Sequence, residues 1–180
     1  MDYLKILHED SNLAADFDAL FDFFLLDEPT KRDEVEGRCT FSVDGVAFAR
    51  HGAGGEYHQL EDGSIGYRSS EGECGRIAES IDDLICLLVY SICWHDYCDS
   101  SQYTDVGILE SYAKERYAQI TSYTEMDEWE TVVKALGMPS EANLAAVLQK
   151  FYDAAHREPV YQGFYHEEDG SITAYEGLFF

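Results

Sequence analysis

Residues 48–94 read FARHGAGGEYHQLEDGSIGYRSSEGECGRIAESIDDLICLLVYSICW, and this run decides the fold. It joins a glycine-rich loop, a hairpin signal, a second glycine-punctuated loop and the most hydrophobic helical pattern of the chain. Ile81, Leu84, Ile85, Leu88 and Ile92 fall at i, i+3, i+4, i+7 and i+11, which is one helical face. Cys86, Leu87, Val89, Tyr90 and Cys93 fill much of the remaining circumference, so the spacing predicts a helix covered nearly all round. Ser80 stands at the N-cap, and Asp82 and Asp83 sit where the helix dipole favours negative charge.

Upstream, Leu13, Phe17, Leu20, Phe21 and Phe24 form an apolar stripe that predicts an N-terminal helix, stopped at Asp27-Glu28-Pro29 and followed by a charged loop over 30–37. Asp44-Gly45 lies between the alternating runs 39–43 and 46–49, the signature of a type I′ hairpin pairing Val43 with Val46 and Phe41 with Phe48. Asp62-Gly63 predicts a second hairpin, with Leu60 opposite Ile65 and His58 opposite Tyr67. The segment 69–75 reads as a loop leading into the core helix.

Downstream, a tyrosine-rich loop runs to Thr104, followed by a helix on Ile108, Leu109, Tyr112, Ala113, Arg116, Tyr117 and Ile120. A helix capped at Thr124 and striped by Trp129, Val132, Val133 and Leu136 ends at Gly137 and Pro139. Ser140 opens another, facing Leu144, Val147, Leu148 and Phe151 inward. A third hairpin joins 160–168 to 171–179 through Asp169-Gly170, with Phe164 opposite Tyr175 and Tyr161 opposite Leu178. Glu-Asp-Gly-Ser-Ile occurs at 61–65 and again at 168–172, an echo that shared turn chemistry explains without a repeated domain. The expectation is one α+β domain over residues 1–180. Its mainly antiparallel sheet is built from Asp-Gly hairpins, with an N-terminal helix, a buried central helix and further helices before the C-terminal hairpin.

The chain has 180 residues, enough to bury about 70% of its unfolded surface. Its 46% hydrophobic and 14% aromatic content excludes intrinsic disorder. Thirty-six acidic residues against 12 basic ones give a net charge of −24. That charge repels nucleic acid and anionic membranes and favours cationic partners, although it also serves solubility alone. Residues 1–5 lack the basic start and apolar run of a signal peptide, and the run 84–89 is too short to span a bilayer. With five cysteines, an odd number, this predicts reduced thiols and a cytoplasmic location.

Chemical motifs are sparse. The loop His51-Gly52-Ala53-Gly54-Gly55 is followed by more strand, not by a helix or a Lys-Ser/Thr pair, so it reads as a chain reversal and not as a phosphate cradle. Cys93, His95 and Cys98 match no paired zinc spacing, and no metal or cofactor is expected. Cys98 is the most exposed candidate for a Cys–His nucleophile, without a recognisable oxyanion hole or orienting residue. His51, His58 and His166 fall on or beside predicted strands, where structural or surface roles are favoured. The tyrosines at 97, 103, 112, 117 and 123 suit either a protein-binding surface or helix packing.

The order of features carries a resemblance. A strand ending in Phe48-Ala49 leads to a Gly-x-Gly-Gly loop, Glu56-Tyr57, an Asp-Gly hairpin and Gly66-Tyr67. Ser70-Glu71-Gly72-Glu73-Cys74-Gly75-Arg76-Ile77-Ala78-Glu79-Ser80 then precedes an apolar helix. Over roughly residues 41–94 this resembles the SUKH superfamily, which takes in bacterial immunity proteins and yeast cell-wall-assembly regulators. Members often carry an acidic residue before the first glycine of the loop, where this chain has Arg50-His51. The resemblance implies a non-catalytic domain that binds and neutralises a co-encoded toxin domain, often a nuclease or deaminase. A basic toxin domain would complement the −24 charge. On that reading Glu56, Glu61, Asp62, Glu71 and Glu73 are the expected partner-binding residues. The alternatives are an intracellular regulatory scaffold and, below it, a small Cys/His-dependent enzyme.

Overall fold

The structure is a computed structural model and describes residues 2–31 and 38–180. Ser80 starts the central helix α3 (Ile81–Ser91) as its pattern predicts: its Oγ accepts the Asp83 amide at 3.1 Å. Leu84, Ile85, Leu87, Leu88 and Val89 are buried, and α3 packs against the adjacent strand and the last helix. At the N-terminus the expected helix is α2 (Ser11–Phe21), and Leu4 and Leu7 lie in a separate preceding helix, α1 (Tyr3–Glu9). Asp10 divides them because its carboxylate accepts the amides of Asn12 and Leu13 and restarts the helix.

A five-stranded antiparallel sheet forms the centre. Its strands are β1 (Phe24–Lys31), β3 (Gly45–Arg50), β4 (Glu56–Leu60), β5 (Ile65–Arg68) and β6 (Cys74–Ala78), in that spatial order. A smaller antiparallel sheet joins β2 (Cys39–Phe41), β7 (Gly163–His166) and β8 (Ile172–Ala174). Between β6 and β7 in sequence, after α3, lie α4 (Val106–Thr121), α5 (Met126–Ala135) and α6 (Leu144–His156). This is an α+β fold with a mainly antiparallel sheet. The helices cover the face bearing Ala49, Tyr57, Tyr67 and Ile77. The alternate residues of β4, Glu56, His58 and Leu60, are also buried, on the face covered by Tyr161 and its neighbour Phe41. His58 Nδ1 lies 2.7 Å from the Tyr161 hydroxyl, and the Tyr161 ring lies over Gly66, where a Cβ would collide with it.

Several sequence expectations give way to this arrangement. The strand Phe24–Lys31 replaces the predicted helix stop; it lies at the sheet edge, where Pro29 can omit an N–H. The loop expected over 30–37 begins within that strand, and 32–37 lie outside the described residues. The first predicted hairpin does not form: β2 pairs with β7, Thr40 opposite Phe164, whereas β3 pairs with β1 and β4. Gly45 is not among the glycines with positive φ, as a type I′ turn would require; it is small because the β4 backbone at Gln59 and Leu60 presses against it.

The other two Asp-Gly turns do form, one residue out of the expected register. Leu60 N–H donates to Ser64 O while Gly63 N–H donates to Leu60 O, closing a three-residue loop with Gly63 at φ +84°. Gln59 therefore faces Ile65, and Tyr57 faces Tyr67. The echo at 168–172 repeats this bond pattern with Gly170 at φ +86°, so Phe164 faces Ala174 instead of Tyr175. Both glycines occupy the left-handed position that closes such a loop. Two helix starts also move. Thr124 donates back to Ile120 O instead of capping α5, which begins after Glu125, and Asn143, not Ser140, caps α6.

Candidate functional site

At the end of the sheet where the β3–β4 and β5–β6 turns lie, a cleft of about 640 Å³ opens between these turns, the end of α2, the end of α3 and the start of α5. Two backbone distortions shape it. Asp22 caps α2 in the left-handed region (φ 52°), and Ile92 follows α3 at φ 63°, ψ −52°. These are the two non-glycine residues with positive φ among the described residues, and both line the cleft. For a β-branched residue such as Ile92 this conformation is strained, a cost concentrated at functional sites. It turns the chain sharply enough to present Cys93, Trp94 and His95 to the cleft.

Asp22 organises the glycine-rich turn. Its Oδ1 accepts the Gly52 amide at 2.8 Å and its Oδ2 lies 3.3 Å from His51 Nε2. The Ala53 amide donates to His51 Nδ1 at 3.2 Å. Nδ1 is thus the acceptor and Nε2 carries the proton toward Asp22. Both ring nitrogens are engaged, which leaves His51 none with which to deprotonate a nucleophile. Gly55 lies under the Tyr67 hydroxyl, so the turn is seated directly on the sheet's aromatic face.

His95 differs. Its ring stacks on Trp94 (3.6 Å between centroids, 25° between planes) and stands 4.9 Å from His51, edge to face. Burial, and then the neighbouring His51, push its pKa down to about 4, so it is neutral at physiological pH. Its ring nitrogens make no hydrogen bond among the described residues. Around it the cleft is acidic: Asp22, Glu71, Glu73, Glu125 and Glu128 line it, and among the described residues no lysine or arginine does. Glu128 also lies in the first turn of α5, where the helix dipole alone favours it.

The five acids expected to bind a partner are dispersed. Glu71 and Glu73 meet in the cleft, held by a turn in which both their amides donate to Ser69 Oγ. Glu56 is not at the surface at all: it is 2% exposed, with Arg68 Nη2 at 3.2 Å, His58 Nε2 at 3.3 Å and Arg50 Nη2 at 3.6 Å. Residue alternation in β4 turns it onto the covered face with Leu60. Glu61 and Asp62 occupy the opposite end of the β4–β5 hairpin. Glu61 is exposed, whereas Asp62 is tied to Arg157 and lies 3.4 Å from Arg76 Nη2. Arg76 is fully buried; it also donates to Ser64 Oγ at 2.9 Å and to the carbonyls of Arg157 and Pro159 at 3.1 Å each. Asp22 and His95, missed as partners from the sequence, are the residues that complete the cleft.

Cys98 is not the exposed thiol that the Cys–His alternative needs. It is buried, and desolvation, followed by the nearby Glu73 charge, pushes its thiol up to about 12, far from a reactive thiolate. Cys86 and Cys93, expected in the core, are half-buried, and all five cysteines are free. Among the described residues no group of three His, Cys, Asp or Glu side chains is placed to hold a metal, and no helix is long and apolar enough to cross a membrane. A scan against family models, a search of curated proteins and a search of solved structures each found no match to this chain.

Proposed function

We propose that this chain is a non-catalytic, cytoplasmic, immunity-type protein that binds a co-encoded toxin domain and neutralises it through an acidic surface. The observation that carries this reading is the cleft at the turn end of the sheet, where five carboxylates gather without a lysine or arginine among the described lining residues. Uncompensated negative charge of this kind favours a positively charged protein surface and speeds its arrival. The net charge of −24 extends the same field over the molecule. Two further observations weigh against a Cys/His enzyme: both nitrogens of His51 are engaged, and Cys98 is a buried thiol. The SUKH-like order of turns, strands and apolar helix supplies the immunity context. Nuclease and deaminase domains act on polyanions and carry basic surfaces, which makes them electrostatically apt targets.

The test is calorimetric titration with the toxin-like domain encoded beside this gene, at low and then at rising salt, together with an assay of that domain's activity. Tight binding that weakens with salt and abolishes the activity is expected. Absence of binding at low salt overturns the reading.

A further inference from the structure

We infer that the cleft is an arginine socket: it seats the guanidinium group of one arginine side chain presented by the basic protein partner. The inference rests on the reading that the partner is a basic protein and specifies the contact that reading leaves open. Three features of the cavity converge on this group. Its walls include Leu20, Ile92 and Ile120, apolar surface along which the three methylenes of an arginine can lie while its charged head reaches polar groups. Glu71 and Glu73 stand on one side and Glu125 on another, so a planar fork of donors entering the cleft meets carboxylates suited to bidentate pairing. The neutral imidazole of His95, stacked on Trp94 and without a hydrogen-bond partner of its own among the described residues, offers a lone pair to a cationic N–H donor.

The alternatives fit less well. An anion would face five carboxylates with no lysine or arginine among the described lining residues to offset them. A metal ion lacks a set of three ligands among the described residues. Lysine shares the charge, but its ammonium is a strongly hydrated point charge without a face to stack, whereas Tyr123, 69% exposed and lining the cleft, provides a ring for a guanidinium plane.

The experiment titrates the full chain at low salt with three blocked tripeptides, Ala-Arg-Ala, Ala-Lys-Ala and Ala-Gln-Ala, followed by backbone amide shifts. Saturable shifts confined to residues 51–55, 69–73 and 92–95, strongest for the arginine peptide and absent for the glutamine peptide, are expected. Glu71→Gln with Glu73→Gln should weaken that binding about tenfold, whereas Glu110→Gln with Glu115→Gln, equal in charge but on the exposed face of α4, should leave it within about twofold. Shifts scattered over the surface, or equal losses in the two double variants, would overturn the socket. The two readings fail separately. If the neighbouring toxin domain binds as tightly to the Glu71/Glu73 variant as to the Glu110/Glu115 variant, the socket falls and the immunity reading stands. If the arginine peptide saturates the cleft but no neighbouring domain binds, the immunity reading falls and the socket stands.

Discussion

The β4–β5 hairpin has acids at both ends, and their surroundings are opposite. At the 61–64 tip, Asp62 lies between Arg76 and Arg157, and Arg157 also binds Glu79. Burial works against the Asp62 carboxylate, but the Ser64 hydrogen bonds, then Arg157 and Arg76, hold its pKa below the usual range. At the other end Glu71 and Glu73 share a cleft with three more carboxylates and, among the described residues, no lysine or arginine. One end is compensated from within and holds the fold; the other is left for something from outside to compensate. An acidic residue in this chain therefore says little by its type. Its meaning depends on whether the fold supplies a guanidinium.

The compensated end should show the largest effect. Arg76→Met removes a buried cation that donates to Ser64, to Asp62 and to the carbonyls of Arg157 and Pro159. Of those acceptors Ser64 is buried, and Asp62 loses one of its two guanidinium partners, so a loss of about 3–5 kcal/mol is expected by denaturant unfolding. Because the change lies away from the cleft, the variant that remains folded should bind the partner with unchanged affinity. A small stability loss would break the comparison, since the cluster would then be decoration.

The uncompensated end has a pH signature. His95 is held neutral down to about pH 4, whereas in the unfolded chain it takes a proton near 6.5. Between these values the unfolded state binds more protons, so stability falls as pH drops from 6.5 to 4 and changes no further below that on account of this residue. The contribution is about 3 kcal/mol if the full shift is expressed, less where water reaches the ring. His95→Gln should flatten this part of the stability–pH curve in thermal melts at stepped pH. A slope that persists in the variant would place the titration elsewhere.

The contrast between the two ends was only partly legible in the residues. Local signals were readable: α3 has a cap, an acidic first turn and a full apolar period, all within one stretch. The Asp-Gly turns were readable as turns, but their register depends on a three-residue closure that a dipeptide does not specify. Pairings between distant segments left no trace; Cys39 finds Tyr165 across 126 positions, and neither run names the other. The exposed edge strand β1 has no alternation to betray it. In the cleft, Glu71 and Glu73 could be guessed as loop acids. Asp22 and His95 could not be joined, because they meet through two backbone distortions that composition does not announce. Glu56 shows the reverse problem: its alternation with Leu60 was visible, yet burial required knowing that a second layer covers that face.

A smaller, more specific effect follows for recognition. Replacing Glu71 and Glu73 together by glutamine should weaken binding of the toxin domain about tenfold, or about 1.4 kcal/mol, with the difference shrinking as salt rises. Stability should hardly change, because neither side chain makes an ion pair among the described residues. Asp62→Asn should do the converse, costing about 1 kcal/mol of stability and leaving affinity intact. Paired unfolding and binding curves decide this; a variant at either end that moves both quantities alike would erase the distinction.

The smallest effect has the opposite sign and carries the same logic to a neutral group. The Tyr97 hydroxyl is fully buried and has no hydrogen-bond partner among the described residues. Its ring packs edge to face on Tyr112, at 5.8 Å between centroids, and phenylalanine would preserve that contact. An unsatisfied buried hydroxyl has given up its water without gaining a partner, so Tyr97→Phe should raise stability by about 1 kcal/mol, read as a higher denaturation midpoint at unchanged slope. A carboxylate of the cleft, by contrast, keeps its water until a partner arrives, and so imposes no such penalty on the free protein. If Tyr97→Phe is instead destabilising, the hydroxyl has a partner that matters. Tyr97 would then belong with Arg76 among the polar groups whose compensation comes from within the fold.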